Sequence, residues 1–135
     1  MEQFGILIVI DPERLDHPAL EQGVEFAQRL DAALELYTCD VGEGVPERWA
    51  GSLSVQQFRS MVHEQRQQLL EQLAQPLRSR GVRVRTHSDW YPSLEQGVLR
   101  RIVAIKPGMV IEDELHGMRE RMQRVTAEDP THRSA

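Results

Sequence analysis

The sequence predicts an α/β fold, with a parallel sheet of about four strands and helices on both faces of the sheet. Two observations carry this prediction: short β-branched or alternating segments recur along the chain, and a longer segment with helical apolar spacing follows each of them. Strands that alternate with helices pair in parallel through right-handed crossovers. The chain has 135 residues, which is the length of one ordinary domain.

The first strand is predicted over residues 6–10, ILIVI, because a continuous β-branched run suits a strand that is buried on both faces. Asp11 and Pro12 end this strand. A helix is then expected to open at His17 and Pro18, since proline favours the first helical turn. Its apolar face is formed by Leu20, Val24, Ala27 and Leu30.

The second strand is predicted over residues 34–39, LELYTC, and a polar, glycine-rich loop follows over residues 40–53. Ser54 is a suitable N-cap for a long helix that ends near Arg80. Gly81 then stands where a left-handed residue usually closes a helix. An apolar stripe at helical spacing runs along the whole helix: Val55, Phe58, Val62, Leu69, Leu73 and Leu77.

The third strand is predicted over residues 82–87, VRVRTH. Its arginines alternate with valines, which is typical of an outer strand with one side open to water. Ser93 is expected to cap a third helix, which Pro107 and Gly108 end. A very short fourth strand is predicted over residues 109–111.

The last part of the sequence predicts one further amphipathic helix and no fifth strand. Four apolar residues recur there at i, i+3, i+7 and i+10: Leu115, Met118, Met122 and Val125. Residues 127–135 are polar and have no apolar periodicity, so we expect a disordered tail. The predicted domain therefore covers residues 1–126.

Composition limits the function classes. A net charge of −5 argues against non-specific nucleic-acid binding, which needs a basic face. Cys39 is the single cysteine, which favours a reducing compartment. There is no signal-peptide pattern and no run of about 20 apolar residues that would span a membrane, so a cytoplasmic location is expected.

No sequence motif indicates catalysis or a metal centre. The chain has no G-x-S-x-G, Walker or G-x-G-x-x-G motif, and we expect no catalytic residues and no enzyme activity. The histidines match no zinc spacing, including His87 with Asp89, and are expected to be scattered over the surface.

The order of these segments and their amino-acid sequences resemble the universal stress protein family over about residues 4–112. The resemblance lies in an apolar strand that runs into Asp11, then in the segments HPALEQGVEFAQRL, LELYTC, QLAQPLRSRGVRVRTHSDW and SLEQGVLRRIVAIKPGMVI. It implies a Rossmann-like sheet of the adenine nucleotide alpha hydrolase-like type, from which the family's fifth strand is missing here. IDPER and HSDWYPSLEQGVLRRI are closest to the family's E type, in which two such domains stand in tandem.

The resemblance also implies where a nucleotide would bind. Family members that bind ATP carry an aspartate after the first strand, which Asp11 matches, and a glycine-rich loop after the fourth. That loop is missing, and Glu112 and Asp113 stand at its start. Each of these carboxylates would repel a phosphate at ~4 Å by about 1–4 kcal/mol, depending on the dielectric constant. Asp11, Glu112 and Asp113 are therefore weak candidates for nucleotide binding, and no cofactor is expected.

The missing fifth strand leaves the fourth strand as an open edge, which tends to pair with other chains. The residues Leu115, Met118, Met122 and Val125 are assigned to covering this edge or to a dimer contact. Three arrangements would protect the unpaired backbone groups of this edge: the last helix covers it, two chains pair through it, or a separate domain supplies the missing strand. We expect a homodimer.

These considerations predict a non-catalytic stress-response protein with a degenerate nucleotide site, which acts through binding or dimerisation. Two alternatives stay open. One is a universal stress protein that binds ATP through a bridging metal ion. The other is a purely structural interaction module with a protein partner that the sequence does not identify. Neither nucleic acid nor a membrane is expected as a partner.

Overall fold

The computed structural model describes residues 5–42 and 51–113, and its fold is the predicted α/β architecture. The elements follow one another as β1 (Gly5–Val9), α1 (Pro18–Leu30), β2 (Ala33–Val41), α2 (Val55–Ser79), β3 (Val84–Tyr91), α3 (Leu94–Ile105) and β4 (Met109–Glu112). The predicted last helix, with Leu115, Met118, Met122 and Val125, and the tail over residues 127–135 lie outside the described residues.

The four strands form one parallel sheet in the order β3-β2-β1-β4. Ile8 of β1 lies opposite Leu36 of β2 on one side and Ile111 of β4 on the other. The residues Ile6 to Val9 are fully buried, as the continuous β-branched run predicts for a central strand. β3 is an outer strand, which confirms the interpretation of its alternating arginines.

Helices cover both faces of the sheet. On one face, α1 and α2 pack over alternate residues of β1 and β2, with Val24, Leu70 and Ala74 at the centre of the contact. On the other face, α3 packs over a smaller apolar cluster that contains Leu7 and Tyr37. Within the two described segments, no helix is long and apolar enough to cross a membrane.

Helix α2 begins at a reciprocal cap. The Ser54 hydroxyl accepts the Gln57 N–H at 3.1 Å, and the Gln57 side chain accepts the Ser54 N–H at 2.9 Å. The buried residues of α2 all lie in its second half: Leu70, Ala74 and Leu77. The continuous apolar stripe expected from the sequence is therefore buried over only half of the helix.

β3 extends to Tyr91, four residues further than the sequence indicates. Its carboxyl-terminal half contains the polar residues Ser88 and Asp89, which interrupt the alternating pattern by which a strand is recognised in a sequence. It pairs with β2 as far as Val41, and partners in α2 and β2 satisfy both polar side chains. The longer strand thus depends on contacts that are distant in the sequence.

Candidate functional site at the carboxyl end of the sheet

The carboxyl ends of β1 and β4 are neighbours, and they bring two of the predicted site residues together. Val9 lies opposite Glu112, and the Asp113 N–H donates a hydrogen bond to the Val9 carbonyl at 3.2 Å. Asp11 follows β1 and Asp113 follows β4. Both are buried, with 1% and 2% of their surface exposed.

The Asp113 carboxylate is held by three donors. Oδ1 accepts the Ala19 N–H at 3.2 Å, and Oδ2 accepts the Asp11 N–H at 3.4 Å. Oδ2 also lies 2.6 Å from Nδ1 of His17, whose N–H donates to it. Every oxygen of this carboxylate therefore has an internal partner.

These contacts place Asp113 at the amino end of α1. His17 is the residue before this helix, and its side chain makes no capping hydrogen bond. Asp113 provides the cap from 94 residues away, through the Ala19 N–H. A carboxylate is favourable there because the first helical amides carry partial positive charge.

Asp11 faces its own loop. Its Oδ1 accepts the Glu13 N–H at 3.0 Å, and its carbonyl accepts the Arg14 N–H at 3.2 Å. This is the local turn that an Asp-Pro step commonly starts. Glu112, in contrast, is exposed at the end of β4.

The sequence interpretation missed His17. It expected surface histidines, but the His17 side chain is only 4% exposed, because it is enclosed with Asp113 between α1 and the end of β4. The available signal was its position immediately before Pro18, at the start of a helix that points toward the predicted crevice.

A groove of about 590 Å³ lies at the carboxyl ends of β2 and β3, beside the first turns of α2. The residues that line it are Asp40, Val55, Gln56, Arg59, Ser60, His63, Ser88, Asp89 and Trp90. No sequence motif indicates a function for these residues.

On the α3 face, Tyr37, His87 and Asp89 form a polar cluster. The Tyr37 hydroxyl donates to Asp89 Oδ2 at 2.9 Å, and His87 Nε2 lies 2.9 Å from Asp89 Oδ1. Burial raises the pKa of Tyr37 far above its ordinary value, and the nearby thiol of Cys39 and the carboxylate of Asp89 add to the effect. Within the described part of the chain, no group of three or more His, Cys, Asp or Glu residues is arranged to hold a metal ion.

Three exposed apolar residues lie on the α3 side of the sheet, one on β4 and two on α3 itself. Val110 of β4 is opposite Leu7, which belongs to the α3-side cluster, so Val110 also faces α3. Val110, Leu99 and Val103 are 39%, 54% and 73% exposed. We call these three residues the edge surface.

The sequence matches no protein-family model, and it matches no curated protein. Among solved structures, 13 chains match. One is a protein from the universal stress protein family from Burkholderia pseudomallei, with a TM-score of 0.67 and 18% identity over 93% of this chain and 91% of that chain. Another is assigned as a universal stress protein from Pseudomonas aeruginosa UCBPP-PA14, with a TM-score of 0.54 and 27% identity over 78% of this chain. This chain spans 31% of the length of that second protein.

Proposed function

We propose that this chain, which has the fold and the sequence pattern of the universal stress protein family, is a non-catalytic stress-response protein that acts through binding or dimerisation. Its nucleotide site is degenerate in this proposal. The observation that carries the proposal is the position of the Asp113 carboxylate, which occupies the amino end of α1 as a built-in anion.

Asp113 competes with a phosphate for the amino end of α1. Helix amino ends bind phosphates because their N–H groups converge on one anion. Here the Ala19 N–H already donates to Asp113, which the chain holds in place by two further donors. A phosphate in this crevice would have to displace Asp113, and it would then meet both that carboxylate and Asp11 at close range.

Titration calorimetry with ATP, in the presence and absence of Mg²⁺, tests this part of the proposal. We expect no binding tighter than about 1 mM, since the crevice supplies carboxylates in place of donors. A micromolar affinity that requires Mg²⁺ and disappears in Asp11→Ala would contradict the degenerate site. That outcome would establish the alternative in which a metal ion bridges ATP to the carboxylates.

The second part of the proposal is a homodimer formed through β4. Among the described residues, β4 pairs with β1 on one side and has no strand on the other. The backbone groups that β4 leaves unpaired among the described residues and the edge surface of Leu99, Val103 and Val110 suit a second copy, because pairing of two edges satisfies the backbone and buries apolar side chains.

Size-exclusion chromatography with light scattering tests the dimer. Val103→Glu places a charge in the edge surface and is expected to give monomers. Leu15→Glu changes an apolar residue in the loop before α1 that is even more exposed than Val103, and it is expected to leave the dimer intact. A monomeric unmodified protein at micromolar concentration would contradict this part of the proposal, and so would a dimer that Val103→Glu leaves unchanged.

A further inference from the structure

We propose that the groove between α2 and the carboxyl ends of β2 and β3 binds a small phosphate monoester. This site is separate from the Asp113 crevice and does not depend on the function proposed above. The groove has a volume of about 590 Å³. Small-molecule sites commonly occupy about 300–1,000 Å³, so a metabolite of ordinary size fits.

The first nine residues of α2 border this groove, mostly with polar side chains. Val55, Arg59 and His63 are spaced four residues apart and follow one line along the helix, and Gln56 and Ser60 form a second line beside it. The buried apolar residues of α2 begin only at Leu70. The first nine residues of this 25-residue helix therefore border a cavity, where a helix that served packing alone would bury apolar side chains.

The carboxylates that line the groove are already engaged by the protein. Arg66 binds Asp40 through Nε, at 3.1 and 3.2 Å, and through its terminal nitrogen, at 3.1 Å. The oxygens of Asp89 are taken by Tyr37 and His87 on the opposite face of the sheet. Both acids line the groove, but the Arg66 guanidinium offsets the charge of Asp40, and hydrogen bonds to Tyr37 and His87 occupy the oxygens of Asp89.

The cation in the groove is Arg59. Its guanidinium lies 5.1 Å from the ring centroid of Trp90, and among residues 5–42 and 51–113 it has no carboxylate partner. The Trp90 indole is itself fixed, because its N–H donates to the Gly42 carbonyl at 2.9 Å and Phe58 contacts it edge-on. The ring therefore holds the guanidinium in place while its donors stay available for an anion.

His63 adds a second donor. Its Nδ1 lies 2.7 Å from the Ser88 hydroxyl. When Ser88 donates to Nδ1, the neutral imidazole carries its proton on Nε2, and within the described residues that atom has no other partner. An arginine fork with a nearby imidazole N–H suits a phosphate, because the anion accepts several charge-assisted hydrogen bonds at once.

Phenyl phosphate is a suitable probe, and tryptophan fluorescence is a suitable readout. Trp49→Phe leaves Trp90 as the only tryptophan and is the background for every measurement. We expect saturable binding of phenyl phosphate with a change in Trp90 emission, and no response to benzyl alcohol, which lacks the anion. No saturable response to phenyl phosphate would overturn the proposal.

Arg59→Gln keeps most of the side-chain length and removes the charge, so it is expected to weaken binding by about tenfold or more. Arg100→Gln is the matched control, because Arg100 lies over the Tyr91 ring at 5.4 Å and does not line the groove. It should bind phenyl phosphate as the background protein does. Equal losses in the two variants would show a non-specific charge effect and would also overturn the proposal.

Asp113→Asn separates this site from the Asp113 crevice. The groove is expected to bind phenyl phosphate unchanged in this variant, since Asp113 does not line it. Binding that depends on Asp113 and not on Arg59 would place the phosphate in the crevice, which contradicts the groove site. The ATP titration tests the crevice alone, so failure of the groove site and failure of the degenerate site can be distinguished.

Discussion

Oδ2 of Asp113 lies 2.6 Å from Nδ1 of His17, and this contact joins the end of β4 to the start of α1. Both side chains are almost fully buried, at 0% and 4% exposure. The two residues are 96 positions apart. The pair lies where the sequence resemblance would place a nucleotide, and it belongs to the buried part of the fold.

Asp113→Ala is expected to lower the free energy of unfolding by about 2–4 kcal/mol, since it removes a helix cap and leaves His17 without its partner. Urea denaturation measures this change. Glu112→Ala is the control, because Glu112 is exposed one residue earlier, and it should change the stability by less than about 0.5 kcal/mol. Equal effects of the two substitutions would contradict a specific role for Asp113.

Glu35 and Arg101 form a buried ion pair on the α3 face. Arg101 Nε and its terminal nitrogen donate to the two Glu35 oxygens at 2.6 and 2.7 Å, and the Glu35 side chain is only 3% exposed. Arg101→Met leaves a buried carboxylate with the more distant Arg85, so we expect a loss of about 2–4 kcal/mol in stability.

A double-mutant cycle with Glu35→Leu checks this pair. The double variant is expected to be more stable than Arg101→Met alone, because no charge is then left buried. Arg85→Met is the control at the exposed contact, where we expect a change below about 1 kcal/mol. If the double variant loses as much stability as Arg101→Met and Glu35→Leu lose together, the two residues are not coupled.

Gly97 allows α3 to approach β2 closely. A β-carbon at this position would overlap Sγ of Cys39 and lie 2.9 Å from Oη of Tyr37. Gly97→Ala is therefore expected to lower the melting temperature through a destabilisation of about 1–3 kcal/mol. Gly5→Ala has open space around its β-carbon and should have a much smaller effect. The prediction fails if calorimetry gives similar melting temperatures for both variants.

The buried Tyr37 predicts a loss of stability at alkaline pH. Burial raises its pKa above the ordinary value of 10.0, so the folded state holds the proton more tightly than the unfolded state does. The stabilisation is fully present below the unfolded pKa. It is lost as the pH rises above that value, at a rate of up to about 1.4 kcal/mol per pH unit.

Urea unfolding at about pH 8 and about pH 10.5 measures this slope, since the two values lie on either side of the ordinary tyrosine pKa. Tyr37→Phe is expected to flatten the slope, because the variant has no phenol at this position. Tyr91→Phe, which changes a tyrosine that is not fully buried, should keep it. An unchanged slope in Tyr37→Phe would assign the alkaline loss to other groups.

Much of the fold follows from local features. The β-branched run of residues 6–10 predicts a central strand. Ser54 and Gln57 are three residues apart, and this local spacing is enough for the reciprocal cap that begins α2. The periodicity of each segment depends on neighbouring residues, so the order of strands and helices can be derived without tertiary contacts. That order, together with the parallel pairing, needed no correction.

The sequence by itself therefore determined the alternation of strands and helices, the central position of β1, the outer position of β3 and the presence of acidic residues after β1 and β4. Only the tertiary structure decided that the Asp113 side chain points to the start of α1 and that His17 is buried beside it. It also decided that the first turns of α2 border a groove. The physical reason is that a parallel sheet gathers the carboxyl ends of strands that are far apart in the chain. Which donor meets which carboxylate there depends on strand register and helix placement, and no local pattern specifies either.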